Sequence, residues 1–314
     1  MTSEVSRHIR RRTSTLNYVS KTWMLYLMLL PPLAFFVIFR YIPMTNIVIA
    51  FKDYNMFRSI WAVPWVGLKW FQKAIVSRDF FYALRNTIGL NLLDLAIGFP
   101  APIMLAILLN ELVYRRFKRI TQTIVYLPHF LSWIIISGLA FQLFAPNTGL
   151  VNMALSRWGW VSAPIRFLDT TRGWVITYIF LGLWQSIGWN TIIYLAAITG
   201  ISPELYEAAE VDGASRLRKI WHVTLPGLRP TIVTLLIMSL GRILGSEFDR
   251  PYALRNSLVA EVADVISTYV YRTGIRANQF SLAAAVGLFQ SVVCVIFLVA
   301  ANSIAKRAGE RGIW

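Results

Sequence analysis

Charge is what this 314-residue chain has least of: only 15% of its residues are Asp, Glu, Lys or Arg, where soluble domains carry about 25%. The shortage is mainly acidic, with 15 Asp and Glu against 31 Lys and Arg. Cysteine is almost missing. The single Cys294 lies inside an apolar run, which excludes a disulfide within the chain. With three histidines beside it, no metal site is apparent. There is no G-x-x-x-x-G-K-[ST] phosphate loop and no nucleophile–base constellation. The formal charge of +16 does not point to nucleic acid, because the basic residues sit in short segments between apolar runs.

What is abundant is apolar. Hydrophobic residues make up 56% of the chain and the mean hydropathy is +0.55. These values predict an all-α integral membrane protein, since a helix crossing the hydrocarbon core needs about 20 apolar residues. Six transmembrane helices are expected, at 23–39, 86–110, 122–144, 173–200, about 230–245 and 279–305. The fifth is the weakest, because Arg242 interrupts it. Arg7, Arg10, Arg11, Arg12 and Lys21 precede the first apolar run, as in a signal peptide. That run contains Pro31-Pro32 and no small-x-small site follows it, so an uncleaved first span is expected.

Basic residues are densest in the N-terminal arm 1–22, in 111–121 at Arg115, Arg116, Lys118 and Arg119, in 201–229, and at the C-terminus. By the positive-inside rule both termini are expected in the cytoplasm, N-in/C-in. The other loops are rich in Trp, and Trp61, Trp65, Trp70, Trp158 and Trp160 fit an interfacial belt. No repeat or separate soluble domain interrupts residues 1–314, so one transmembrane domain is expected.

The most specific stretch is 207–226, EAAEVDGASRLRKIWHVTLP. Ser202-Pro203-Glu204 reads as a helix start, since Ser caps, Pro fits the first helical position and Glu complements the dipole. Asp212-Gly213 reads as its end. A second short helix is expected to close at Leu225-Pro226, with Pro230 opening the next span. By itself this is a helix–turn–helix on the membrane surface. Glu207-Ala208-Ala209, three residues, Gly213, nine residues and Val223-Thr-Leu225-Pro226 resemble the EAA loop of permease subunits in binding-protein-dependent ABC importers. Trp65-Val-Gly-Leu-Lys-Trp70, Asn86-Thr87 and Tyr126-Leu-Pro128 are similar to elements of the maltose-type, carbohydrate-importing branch, with a resemblance to permeases for complex or acidic oligosaccharides, alginate fragments among them.

That resemblance implies a type I ABC importer permease fold in the bacterial cytoplasmic (inner) membrane. It implies a docking role for the EAA coupling loop, about 201–229. It also implies several partners: a second, similar but non-identical permease, two ATP-binding subunits holding ATP and Mg, and an extracytoplasmic solute-binding protein. No cofactor is expected in this chain, and no enzymatic role. The rival readings are a permease for peptides or amino acids and, from another class, a secondary transporter. The latter is disfavoured by the absence of paired repeats.

Candidates for the sugar pathway are polar and aromatic residues within spans. Tyr178, Gln185 and Trp189 share a helical face, Gln290 reaches a similar depth, and Trp133 follows His129 by one turn. Aromatic rings stack on sugars and amides bond their hydroxyls, although the same residues also serve to pack spans together. Asp94 and Arg242 are the ionised groups well inside spans. Both are expected ~12 Å below the outer surface, counting 1.5 Å per residue. Three readings follow: an Asp94–Arg242 ion pair, an Arg242 that snorkels towards Glu247 or Asp249, or an Arg242 that contacts an acidic sugar.

Overall fold

The structure, a computed structural model, describes residues 18–245, 247–310 and 312–314. The arginines at 7 and 10–12, which carry much of the N-terminal charge, lie outside the described residues. Among the described residues the fold is all helical, with one isolated bridge between Lys52 and Trp65. Five helical stretches are long and apolar enough to cross a membrane, and a sixth span exists if one bent pair is counted as one.

The first span is longer than the sequence suggests. It runs Trp23–Phe51, with a π turn at Val37–Tyr41 and a 3₁₀ end at Thr45–Phe51. No residue of its main helix, Trp23–Phe36, is buried. The second span covers Arg78–Asn110. It starts where the Ser77 hydroxyl accepts from the Phe80 amide and breaks at Phe99, ahead of Pro100. The fourth is one helix, Thr171–Thr199, and the last is Phe280–Arg307.

The third span departs most from expectation. Instead of one helix over 122–144, Arg115–Phe130 and Trp133–Leu143 meet at 100°. Pro128 sits in a 3₁₀ turn, Leu131 is extended, and the Ser132 hydroxyl caps the second piece by accepting from the Ile135 amide. The second piece has 11 residues, about 16 Å at 1.5 Å per residue, half a membrane.

The fifth span is also corrected. No second short helix closes at Leu225-Pro226. The chain is helical without a break from Arg216 to Leu240, 25 residues. A π turn at Ile220–Thr224 lies directly before Pro226. A proline ring in a helix collides with the carbonyl four residues back, and a widened turn relieves this. The span ends earlier than expected, at Leu240, and turns follow through Leu244.

The segment after it is no simple surface loop. Asp249–Leu254 is a short helix, and Leu254, Val259, Ala263, Val265 and Ile266 are all buried. The segment is bound to the bundle by backbone bonds. Asn86 Nδ2 donates to the carbonyls of Glu261 and Asp264. The Thr87 hydroxyl accepts from the Ile266 amide at 2.8 Å. Trp174 Nε1 donates to the Leu254 carbonyl at 2.9 Å. Buried amides and carbonyls that find no water must be paired this way, so the 249–266 stretch belongs to the core.

Trp61, Trp65, Trp158 and Trp160 are exposed, as a belt requires. Trp70 is not a free anchor: its indole donates to the Lys52 carbonyl at 3.0 Å.

Candidate functional site

Two interrupted spans face one cavity of about 440 Å³. His129 reaches it from the break in the third span, and Arg242, Ile243 and Gly245 from the turns that end the fifth. Asn91 and Asp94 come from the second span, and Tyr178, Gly182, Gln185, Ser186 and Asn190 from the fourth. Unwound backbone within a bilayer is tolerated where it lines a cavity, and such breaks mark substrate sites in transporters. The freed carbonyls are satisfied locally. Asn91 Nδ2 donates to the Ile243 carbonyl at 2.7 Å and Gln290 Nε2 to the Leu244 carbonyl at 2.9 Å. Gln185 Nε2 reaches the His129 carbonyl at 3.4 Å.

Asp94 is paired, but not with Arg242. Arg250 is the partner, through two bonds of 2.7 and 3.1 Å in a fork geometry. Its Nη2 also donates to the Tyr178 carbonyl at 2.5 Å. Its guanidinium lies 3.6 Å from the Tyr178 ring centroid and 5.5 Å from that of Trp133. Arg250 is only 7% exposed. It fits because position 182 is glycine: a β-carbon there would overlap the guanidinium. The expected Asp94–Arg242 pair fails because the helix 249–254 folds into the bundle and brings a better-aligned arginine to the aspartate. Arg242 is exposed in the cavity, and among the described residues no carboxylate lies within 4.0 Å of it.

At the far end of the fourth span lies the loop 201–229. Pro203–Val211 is a helix with Pro203 and Glu204 in its first turn, although the Ser202 hydroxyl makes no capping bond. It ends on Gly213, whose φ is +71°, with the Ala214 amide bonded to the Ala209 carbonyl at 2.8 Å. The loop is tied to the fifth span by Tyr206 Oη and Thr224 Oγ1, 3.1 Å apart. Lys219 bonds Glu210 at 2.5 Å, and that bond holds the Glu210 carboxyl below its ordinary range. A groove of about 480 Å³ opens beside it, lined by Pro203, Tyr206, Glu207 and Glu210 among others. Glu207, Ala208, Leu217, Trp221 and Pro226 are exposed, while Ala209 and Leu225 are half-buried. The C-terminus sits at this same end, where Glu310 pairs with Arg229.

Residues 98–310 match the model of the family described as "Binding-protein-dependent transport system inner membrane component". The chain belongs to that family. It is therefore a multi-pass inner-membrane permease, a transport component rather than an enzyme, and its family works with a binding protein. A permease of Bacillus subtilis, the polygalacturonan/rhamnogalacturonan transport protein YteP, is 46% identical over 290 residues, covering 92% of this chain and 90% of the relative. Protein LplB of the same organism is 43% identical, covering 92% and 91%. A solved bacterial ABC transporter involved in import of the acidic polysaccharide alginate contains a chain 39% identical to this permease. It matches with a TM-score of 0.85 over 94% of this chain and 99% of that one. A second structure of the alginate transporter, in complex with a periplasmic protein bound to an alginate pentasaccharide, matches equally well.

Within the permease, the cavity gathers Tyr178, Gln185, Asp94 and Arg242 from the sequence candidates and leaves out three. Trp189 turns away from it and stacks on His129, ring centroids 4.4 Å apart. Gln290 serves the Leu244 carbonyl. Trp133 packs against the core beneath Arg250. Sequence reasoning missed Arg250, Asn91 and Asn190. The signal for Arg250 was Gly182, a missing side chain in the middle of a span of large ones.

Proposed function

We propose that this permease is one membrane half of an ATP-driven importer for an oligosaccharide of the acidic, uronate-bearing kind. The sugar is delivered by an extracytoplasmic binding protein. The observation that carries this reading is near-full-length likeness, on both sides of each comparison, to permeases whose names specify polygalacturonan and alginate. The polar cavity between two interrupted spans supports it, since a sugar needs hydroxyl partners that hydrocarbon lacks. The same likeness favours a sugar over peptides or amino acids. Complete proteoliposomes, charged with ATP and given loaded binding protein outside, are expected to accumulate labelled trigalacturonate. Retention of ATP hydrolysis with no accumulation of any uronate oligosaccharide would overturn the reading.

The other parts follow from what the chain leaves open. The first span has no buried residue in its main helix, which leaves a face open to a second permease, taken here as similar but non-identical. Two ATP-binding subunits hold ATP and Mg and dock on the loop 201–229. Glu207, Ala208, Ala209, Gly213, Leu225 and Pro226 form or frame the docking surface. The pathway passes through the cavity, where Tyr178 and Gln185 face the sugar.

The loop and both termini face the cytoplasm in this scheme. Labelling single cysteines with an impermeant reagent in intact cells, in a Cys294→Ser background, tests that orientation. Cysteine at 160 is expected to react from outside, and cysteine at 215 only after permeabilisation. Outside labelling at 215 would reverse the topology.

A further inference from the structure

Four charged side chains line the cavity: Asp94, Arg242, Glu247 and Arg250. They are not equivalent. Arg250 is committed through both Nη atoms, because Asp94 takes its fork, the Tyr178 carbonyl takes Nη2 and the Tyr178 ring covers its face, although its buried Nε has no partner among the described residues. Arg242 is not. It stands exposed in the turn just past the helix Leu225–Leu240, and among the described residues its side chain has no ion pair or hydrogen bond. Its backbone, by contrast, is fixed. The Arg242 amide bonds the Ser239 carbonyl and the Gly245 amide bonds the Arg242 carbonyl. The next two carbonyls are held by Asn91 and Gln290. The backbone that carries Arg242 is thus held on both sides, while its guanidinium is left available to a ligand in the cavity.

We infer that Arg242 is the group that reads a carboxylate of the transported sugar, and so sets the preference for acidic over neutral oligosaccharides. The inference rests on the import reading above. A cation that leaves water beside the end of a span is expensive unless it pairs or faces a polar pathway, and a planar guanidinium matches a carboxylate through two parallel bonds. The two arginines and two carboxylates make the cavity neutral as a whole, so it has no general pull on anions. A carboxylate is held only where the free guanidinium can reach it. Gln185, Ser186 and Asn190 on the same wall supply neutral partners for hydroxyls. The rival role for Arg242 is to offset the negative end of the helix it follows, for which lysine would serve equally and which gives no reason for sugar preference.

The test uses the complete transporter in nanodiscs without binding protein. Affinity is measured for trigalacturonate and for its trimethyl ester. Wild type is expected to prefer the acid. Arg242→Gln is expected to lose acid affinity by about tenfold to a hundredfold, the range for a hydrogen bond to a charged group, with ester affinity unchanged. Arg242→Lys should keep part of the preference. Wild-type preference in Arg242→Gln, equal loss of both sugars, or a wild type that does not distinguish them would each overturn the inference. Uptake of trigalacturonate by wild-type proteoliposomes separates the two levels. If neither trigalacturonate nor any other uronate oligosaccharide is taken up, the import reading falls. If uptake succeeds while Arg242→Gln keeps its preference, only the role of Arg242 falls.

Discussion

Asparagine at position 94 is expected to lower the amount of assembled transporter sharply. Asp94 receives two bonds from an arginine that is buried under an aromatic ring, and removing it strands that cation away from water. Breaking a buried pair from one side costs about 3–5 kcal/mol. Arg250→Gln leaves Asp94 alone, and is expected to cost less because Asp94 is half-buried and keeps access to the cavity. The double variant should recover part of the loss. The measurement is a double-mutant cycle on thermal stability of the purified complex in detergent. Two single effects that simply add would dismiss the pair as an energetic unit. Combining Asp94→Asn with Arg242→Gln provides the control. That combination should show no such recovery, because Arg242 makes no ion pair with Asp94.

Valine at position 213 is expected to leave insertion and assembly intact while removing most uptake. Gly213 takes φ +71°, and open space surrounds the position where a β-carbon would be added. Steric conflict with neighbours is therefore absent, and the penalty is purely conformational, about 1–2 kcal/mol for an L-residue. The chain would relieve it by rotating the helix Pro203–Val211 against the fifth span, and the exposed face at Leu205, Ala208 and Val211 would turn with it. Asparagine visits the left-handed region more readily than other residues, so uptake should rank glycine, asparagine, alanine, valine. Uptake and co-purification of the ATPase subunits are measured at matched permease levels. Full transport with normal ATPase recruitment in the valine variant would remove the docking assignment.

The first helix of the loop 201–229 was legible because its information is local. A proline at the first helical position, a glycine at the stop and a defined spacing between them describe the turn without reference to the rest of the chain. The positions of the spans were legible for the same reason, since hydropathy is summed over neighbours in sequence. What failed depended on distant partners. Residues 122–144 hold no Asp, Glu, Lys or Arg, so the break at Leu131–Ser132 left no trace in charge, only Pro128 and a capping serine. Arg250 was hidden by the assumption that a segment between two spans lies outside them. Depth along a helix can be counted, but depth of a segment that returns into the bundle cannot. The bond Gln290 makes was not legible, because the carbonyl it meets, that of Leu244, is freed by an early helix end 46 residues away.

The first span carries a consequence for biogenesis. Its main helix leaves the insertion machinery with membrane-compatible surface on every side and no seat waiting within its own chain. Helices in lipid can be stable individually before they associate, so the helix can insert early and wait. With a second permease as the neighbour proposed above, the subunit would complete its packing by assembly rather than by folding. Made in excess of its partners, it would carry a loose helix that marks it as an orphan to membrane proteases. Its steady-state amount should follow the synthesis rate of the scarcest partner rather than its own.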